Sequence, residues 1–246
     1  MTNSITVQNI DQHQNTDQEE INKFSAMASG WWDPEGDLKT LHHINPIRLA
    51  YIEQHADGLG NKRVADVGCG GGILAESMAK KGAIVTAIDA SEEALQIARL
   101  HQTETESSVD YVHTTAESLA QNHNGQFDVV TCMELLEHVP SPESVIAACA
   151  SLVRPGGTVF FSTLNRTAKA YAFAVVGAEY IMGLLPKGTH DYAKFIQPAE
   201  MANWMRKHDL ELKDLSGMSY NPLNNEASLT SDLKVNYLIC ADRPQS

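Results

Sequence analysis

From Lys62 onward, short apolar runs typical of strands alternate with longer segments in which apolar residues recur at helical spacing. The predicted strands are 64–68, 84–89, 109–114, 127–133 and 158–163, and the predicted helices are 73–81, 91–102 and 142–152. Strands joined through helices pair in parallel, because a parallel neighbour needs a crossover connection. The order predicts an α/β fold with a doubly wound, mostly parallel sheet that helices cover on both faces.

The C-terminal part of the chain follows a different pattern. A helix is predicted at 198–208, followed by strands near 211–218 and 234–241. No segment with helical periodicity separates these two strands. They are therefore predicted to pair antiparallel and to give the sheet an antiparallel edge strand.

Two helices are predicted ahead of the sheet. Asp17 can cap the first of them with Glu20 three residues later, and Pro46 is expected near the start of the second. Trp31 and Trp32 lie in the loop between these helices. Large aromatic residues in such a loop either fasten the helices to the main domain or form a lid over a ligand, and both interpretations stay open.

Composition narrows the class of protein. The chain has 246 residues with 18 Lys and Arg against 31 Asp and Glu, a net charge of −13, which makes nucleic acid an unfavourable partner. The four cysteines are scattered, so no zinc site or disulfide framework is predicted and a reducing compartment is expected. Residues 1–18 lack a basic start and a long apolar run, which is typical of a disordered lead-in. We expect 19–246 to form one domain, with 19–60 as an N-terminal helical cap.

Glycines follow the first predicted strand, where open α/β sheets bind ligands. Gly68, Gly70 and Gly72 come after Asp66 at every second position, whereas a dinucleotide fingerprint would need a sixth-position glycine where this chain has isoleucine. Asp89 ends the second predicted strand, where a carboxylate can accept hydrogen bonds from ribose hydroxyls or can cap the following helix. A nucleoside-containing cofactor is therefore predicted.

Acidic and imidazole side chains follow the fourth predicted strand, which also ends on the ligand side of the sheet. If residues 134–138 are helical, Glu134, Glu137 and His138 share one face after Met133. Such a group can hold Mg²⁺ or another divalent cation, or can supply a general base, or can be an ordinary solvated face. These three interpretations stay open.

The glycine loop resembles motif I of the class I S-adenosylmethionine methyltransferases, and the pattern from about residue 19 onward resembles the ubiquinone biosynthesis O-methyltransferases. The segments that carry this second resemblance are Lys23-Phe24, 31–33, 42–48, 66–78, 133–140, 162–166 and 186–190. The resemblance implies a Rossmann-like class I methyltransferase fold with S-adenosylmethionine as cofactor. It also implies two O-methylation steps, one on a 2-polyprenyl-6-hydroxyphenol and one on 3-demethylubiquinol.

The resemblance also implies roles for individual residues. The expected cofactor-binding residues are Arg48, Asp66, Gly68, Gly70, Gly72, Asp89, Glu117 and Met133. Arg48 is expected at the methionine carboxylate, with a surface arginine as the alternative, and Glu117 either contacts the adenine or starts a helix. The expected catalytic residues are His138, Glu134 and His190, and eukaryotic relatives are associated with a divalent metal at positions matching Glu134, Glu137 and His138.

The segment 168–185 is apolar around most of a helical circumference, which is typical of a buried helix. Because a polyprenylated substrate resides in a bilayer, we instead favour a flap at 165–190 that touches the inner membrane surface. The expected localisation is cytoplasmic with reversible membrane association, with other ubiquinone biosynthesis enzymes as further partners. The alternatives are another S-adenosylmethionine-dependent methyltransferase of small molecules, a nicotinamide-dependent oxidoreductase and a non-catalytic scaffold that binds cofactor and membrane.

Overall fold

The structure is a computed structural model that describes residues 15–172 and 191–245. Its helices are α1 (Gln18–Met27), α2 (Lys39–His55), α3 (Ile73–Lys80), α4 (Glu92–Thr105), α5 (Ala116–His123), α6 (Pro142–Leu152), α7 (Ala168–Ala170) and α8 (Pro198–Lys207). Its strands are β1 (Arg63–Val67), β2 (Ile84–Asp89), β3 (Val109–His113), β4 (Phe127–Met133), β5 (Val153–Leu164), β6 (Glu211–Asn221), β7 (Glu226–Thr230) and β8 (Asn236–Asp242).

The strands form one sheet in the order β3-β2-β1-β4-β5-β8-β6-β7. The first five are parallel, and β8 pairs antiparallel with both β5 and β6. This confirms the doubly wound, mostly parallel sheet and its antiparallel edge. The strand order reverses between β1 and β4, and ligands bind at the carboxyl ends of strands at such a switch point.

Burial on the two faces of the sheet explains why the parallel strands are almost uniformly apolar. One core cluster includes Val67, Val130 and Phe161, and a second includes Val64 and Phe160. Residues from the same strands thus enter both clusters, because successive side chains point to opposite faces. Helices cover both faces of the parallel part, as the alternating order of elements predicts.

Several local predictions were wrong or incomplete, among them the start of β5, which begins at Val153 and not at 158. The second helix begins at Lys39, not near Pro46, so the proline lies inside α2 and removes one backbone donor there. The buried face of α2, which includes Arg48 and Tyr51, keeps the helix continuous through its packing. Helix α5 was predicted only as one of the two alternatives for Glu117, and strand β7 was not predicted; β7 is a short edge strand that pairs with β6.

The N-terminal helix is fastened to the domain by polar contacts. Asp17 caps α1 by accepting from the backbone N–H groups of Glu19 and Glu20, as predicted. Asp17 also pairs with Lys194 (Nζ to Oδ2, 3.1 Å), which lowers the pKa of this carboxyl and raises that of the lysine. Of the predicted lead-in 1–18, residues 15–18 are described, and Asn15 hydrogen-bonds to Glu117 and to the backbone of Ser141. Residues 1–14 lie outside the described residues.

Candidate active site

A cavity of about 310 Å³ opens at the carboxyl ends of β1, β2 and β4. The N-terminal helices form part of its wall, together with the glycine loop and the segment after β4. The predicted cofactor-binding residues that line it are Arg48, Asp66, Gly68, Gly70, Asp89, Glu117 and Met133, joined by the three residues Glu134, Glu137 and His138. Gly72 is not among the described lining residues, because it starts α3 behind the loop and a Cβ there would meet the Tyr111 hydroxyl at 2.2 Å.

Asp89 holds the glycine loop in place. Its Oδ2 accepts from the backbone N–H of Gly70 at 2.8 Å, and its Oδ1 accepts from that of Ser91 at 2.8 Å. Ser91, and not Asp89, caps α4 by accepting from the Ala94 N–H. The helix-capping alternative for Asp89 is therefore wrong, and its carboxylate is fixed at the cavity wall next to the loop.

Asp66 is a buried acid at the base of the cavity. Its Oδ1 accepts from the Thr131 hydroxyl at 2.7 Å, whereas Oδ2 has no hydrogen-bond partner among the described residues. Burial raises the pKa of Asp66 to about 6, against the lowering effect of the Thr131 hydrogen bond. A buried carboxyl group with an unused oxygen can accept a hydrogen bond from a bound ligand or pair with a cationic group of that ligand.

Arg48 is also buried, so the interpretation as a surface arginine is wrong. Only 5% of it is exposed, and its Nη1 donates to Glu134 Oε2. Glu134 has a left-handed backbone (φ 51°), and its second carboxylate oxygen accepts from the Ser162 hydroxyl at 2.7 Å. The guanidinium Nε has no partner among the described residues. A buried guanidinium with an unused donor fits a ligand carboxylate.

His138 lies against helix α1. Its Nδ1 is 2.9 Å from Glu20 Oε2, and the ring of Phe24 contacts the imidazole edge-on at a centroid distance of 5.0 Å. Although burial acts in the opposite direction, His138, Lys23 and Lys194 lower the pKa of Glu20 to about 2. Glu20 was expected only near the helix cap, and the structure gives it the role of partner to the imidazole.

The predicted shared face of Glu134, Glu137 and His138 does not form. The segment has a short 3₁₀ turn at Leu136–His138, and the left-handed backbone of Glu134 places that residue before the turn. Glu137 is buried and accepts from the Thr163 hydroxyl at 2.8 Å, and burial raises the pKa of its carboxyl. The three side chains thus engage three different sets of partners. Within 15–172 and 191–245, no group of three or more His, Cys, Asp or Glu could hold a metal ion.

Several partners in this site were not singled out from the sequence, namely Thr131, Ser162 and Thr163. Ser162 lies in register with Met133 on the neighbouring parallel strand. The sequence feature that could have identified Ser162 and Thr163 is the pair of hydroxyl residues at the end of the predicted strand 158–163, which lies beside 127–133. His190, a predicted catalytic residue, lies outside the described residues.

Glu117 starts a helix, one of the two interpretations that the sequence left open, and its contact with the adenine stays a prediction. It lies in the first turn of α5 and lines the cavity, and its Oε1 accepts from Asn15 and from the Ser144 hydroxyl. The first turn of a helix favours a carboxylate, and the position faces the ligand space beside β3.

Trp31 packs on the glycine loop from the N-terminal side. It is buried and lines the cavity, while Trp32 donates from Nε1 to the Gly71 carbonyl oxygen at 2.9 Å. A Cβ at Gly70 would lie 2.0 Å from the Trp31 ring, and one at Gly71 would lie 2.3 Å from it. The pair therefore fastens the N-terminal helices to the domain, which is one of the two predicted roles. Trp31 also lines the cavity, and the role of a lid over a ligand stays a prediction.

We expect Gly71→Ala to displace Trp31, because no Cβ fits 2.3 Å from its ring. The free energy of unfolding should fall by about 1–3 kcal/mol, the usual cost of overpacking. Urea unfolding measures this loss. Gly60→Ala is the matched control, since nothing lies within 4 Å of a Cβ there. Equal stability of the two variants would contradict the packing of Trp31 on the loop.

The strand order, the glycine loop and the strand-end Asp89 together define a class I methyltransferase that uses S-adenosylmethionine. A methyltransferase-domain family model matches residues 29–215. Ubiquinone biosynthesis O-methyltransferases from Aromatoleum aromaticum and Thiobacillus denitrificans are 59% and 60% identical to the chain, over 94% and 93% of it and 99% and 98% of their own lengths. The chain belongs to the ubiquinone biosynthesis O-methyltransferase family.

A solved structure shows the same fold at low sequence identity. Magnesium protoporphyrin IX methyltransferase from Synechocystis PCC 6803 with bound SAH superposes with a TM-score of 0.64 at 18% identity, covering 92% of this chain and 94% of that one. The family model and the relatives, not this structure, identify the protein as an S-adenosylmethionine-dependent O-methyltransferase. The oxidoreductase and scaffold alternatives are wrong.

Proposed function

We propose that this protein methylates hydroxyl groups of two polyprenylated phenols, a 2-polyprenyl-6-hydroxyphenol and 3-demethylubiquinol. The observation that supports this most is the single cavity in which the glycine loop, Asp89 and His138 meet. A cofactor site and a group able to accept a proton thus share one space. The similarity to ubiquinone biosynthesis O-methyltransferases indicates the pathway, and the cavity is the proposed position of methyl transfer to a hydroxyl group.

The cavity fits the cofactor in its charges and unused polar atoms. In the proposed complex Asp89 accepts from the ribose hydroxyls, and the Arg48 guanidinium donates to the methionine carboxylate. Asp66 Oδ2, which has no partner among the described residues, suits the α-ammonium. Glu117 and Met133 line the remaining wall, where the nucleoside would lie. When bound, S-adenosylmethionine supplies an electrophilic methyl group on a sulfonium sulfur.

We assign the proton transfer to His138. A phenol has a pKa near 10 and is mostly protonated at neutral pH, so a base must take its proton as the oxygen attacks. With S-adenosylmethionine bound, the phenol oxygen would bond to its methyl carbon as the carbon–sulfur bond breaks, and the His138 imidazole would take the phenol proton. Glu134 is a weaker candidate, because it already neutralises Arg48. His190 keeps its predicted role from the sequence.

No step in this mechanism passes through a divalent cation. Glu134, Glu137 and His138 do not fit a common ion in this structure, because Arg48, Thr163 and Glu20 bind them separately. The cation predicted from the resemblance is tested by methyl transfer with and without chelator. Loss of activity with chelator, restored by Mg²⁺, would require a rearranged site.

We expect cofactor affinity to fall as pH falls through about 6, the pKa to which burial raises Asp66. The ionised carboxylate attracts the cationic cofactor, so the complex forms with ionised Asp66 and releases a proton when the free protein is protonated. Affinity is then level above pH 6 and falls up to about tenfold per unit below it. Calorimetry between pH 5 and 7 measures the slope. Asp66→Asn should flatten it, and an unchanged slope in that variant would assign the dependence to another group.

We further propose that 165–190 touches the membrane surface and admits the prenyl tail. Most of this segment, 173–190, lies outside the described residues, so support comes from its apolar sequence and from the chemistry of the substrate. Among the described residues, no helix is long and apolar enough to cross a bilayer. Liposome flotation of wild type and of Tyr171/Phe173/Tyr180→Ser tests the proposal, and equal binding would reject it. Contact with other enzymes of the pathway stays a prediction.

The proposed function is tested with purified protein, S-adenosylmethionine and a prenylated catechol. We expect one methyl ether and one S-adenosylhomocysteine per turnover. A non-prenylated catechol is the matched control for the tail. Binding of S-adenosylhomocysteine without methylation of either phenol would retain the cofactor site and reject the proposed substrates.

A further inference from the structure

A buried carboxylate lies behind the glycine loop, on the helix that follows it. Glu76 is 0% exposed and is not among the described residues that line the cavity. Both of its oxygens have partners: Oε1 is 2.9 Å from His101 Nδ1, and Oε2 accepts from the Thr105 hydroxyl at 2.8 Å. Burying a carboxylate is unfavourable unless its oxygens are hydrogen-bonded, so these contacts fix His101 and Thr105 on α4.

The imidazole of His101 continues this chain of contacts toward the loop. Its ring stacks on Trp32 with centroids 3.4 Å apart and planes 5° from parallel. Trp32 also donates a hydrogen bond from Nε1 to the Gly71 carbonyl oxygen at 2.9 Å. One planar side chain is thus held through its face by His101 and through its edge by the cofactor loop.

Trp32 also determines where Trp31 lies, because the two are adjacent in the chain. His42 supports this placement with a hydrogen bond to the Trp31 carbonyl oxygen at 2.8 Å and an edge contact with the Trp32 ring. Trp31 in turn covers Gly70 and Gly71 and lines the cavity. The contacts form a continuous path: Glu76, His101, Trp32, and then Gly71 together with Trp31.

We propose that Glu76 is a positioning residue for cofactor binding, acting through His101 and Trp32 on the conformation of the glycine loop. It does so without touching the cofactor. The inference rests on the proposed placement of S-adenosylmethionine at this loop. A loop held in its binding conformation before the ligand arrives binds more tightly, because less ordering is needed on binding.

The main test is Glu76→Ala, assayed for S-adenosylhomocysteine affinity by calorimetry and for steady-state kinetics. The Kd and the KM for S-adenosylmethionine should both rise about tenfold, because the loop must then be ordered when the cofactor binds. The kcat should change by less than about twofold, because no group at the reacting atoms is altered. An unchanged Kd in a folded Glu76→Ala variant would overturn the proposal.

Two matched variants separate positioning from general loss of stability. Thr105→Val removes the other hydrogen bond to Glu76 but keeps that of His101, so its Kd should stay within about twofold of wild type. Asp214→Asn changes a carboxylate on β6 that accepts from the Tyr51 and Ser216 hydroxyls and is not among the described residues that line the cavity. It should lower the unfolding temperature without weakening cofactor binding. Equal weakening in all three variants would mean that Glu76 acts only on stability.

A double-mutant cycle tests the path itself. Trp32→Phe keeps a ring to stack on His101 but removes the donor to Gly71, and it should also raise the Kd. If Glu76 acts through Trp32, adding Glu76→Ala to Trp32→Phe raises the Kd little further; independent effects would multiply. Should Glu76→Ala fail to fold, Glu76→Gln replaces it in the cycle. If the wild-type protein binds no S-adenosylhomocysteine, the proposed function itself is rejected. If it binds and only the cycle fails, the path from Glu76 alone is rejected.

Discussion

Replacing His138 with alanine is expected to lower kcat for methyl transfer by about 10²- to 10⁴-fold, the range typical of a general base. The affinity for S-adenosylhomocysteine should change little, since the imidazole is assigned to the phenol and not to the cofactor. The deficit should shrink as pH rises toward 10, because the phenol then ionises without help. Rates measured from pH 7 to 10 on saturating prenylated catechol give this profile.

The control for this experiment is His123→Ala. His123 is not among the described residues that line the cavity, and its Nδ1 lies 3.2 Å from Gln126 Oε1. Its kcat should match that of wild type at every pH. A His138→Ala variant with wild-type kcat at neutral pH would remove the imidazole from the mechanism and leave Glu134 or His190 as the base.

Replacing Arg48 with methionine is expected to weaken cofactor binding about 100-fold or more, through loss of the only buried guanidinium placed at the described cavity. The same change leaves the Glu134 side chain, which is 27% exposed, without its charged partner, so the free energy of unfolding should fall by about 1–3 kcal/mol. Calorimetry with S-adenosylhomocysteine and urea unfolding measure the two effects separately.

The double variant Arg48→Met/Glu134→Gln distinguishes the two roles of Arg48. Removing the stranded carboxylate charge should restore much of the stability, whereas cofactor affinity should stay low. If affinity recovers together with stability, Arg48 supports the fold of the cavity and does not bind the cofactor carboxylate. Glu134→Gln alone should leave affinity near that of wild type.

The parts of the fold that depend on chain-local patterns were predictable. Strands β2 and β4 and helix α6 have the predicted bounds, because apolar runs between turn residues leave few alternatives. Asp89 was predicted at a ligand-facing position for a similar reason, since it ends a buried strand beside the glycine loop. Local pattern thus predicted the glycine loop and Asp89 as part of the cavity wall.

The parts that depend on distant contacts were not predictable from the sequence. Glu134 adopts φ 51° while its backbone N–H donates to Ser162, a residue on another strand, so helical spacing did not apply after Met133. The bond between Glu20 and His138 spans two elements far apart in the chain. Helix α2 continues through Pro46 because its buried face outweighs one lost donor. In each case tertiary packing outweighed local preference.

The position of β8 affects how the protein is made. Strand β8 follows β6 and β7 in the chain, yet it lies between β5 and β6 and bonds to both. During translation the β6–β7 hairpin therefore leaves the ribosome before β8, the strand that joins it to the sheet, has been synthesised. Until β8 emerges, β5 has an open edge and the hairpin lacks its neighbouring strand, so a ribosome stalled ahead of β8 would carry a chain with exposed pairing groups.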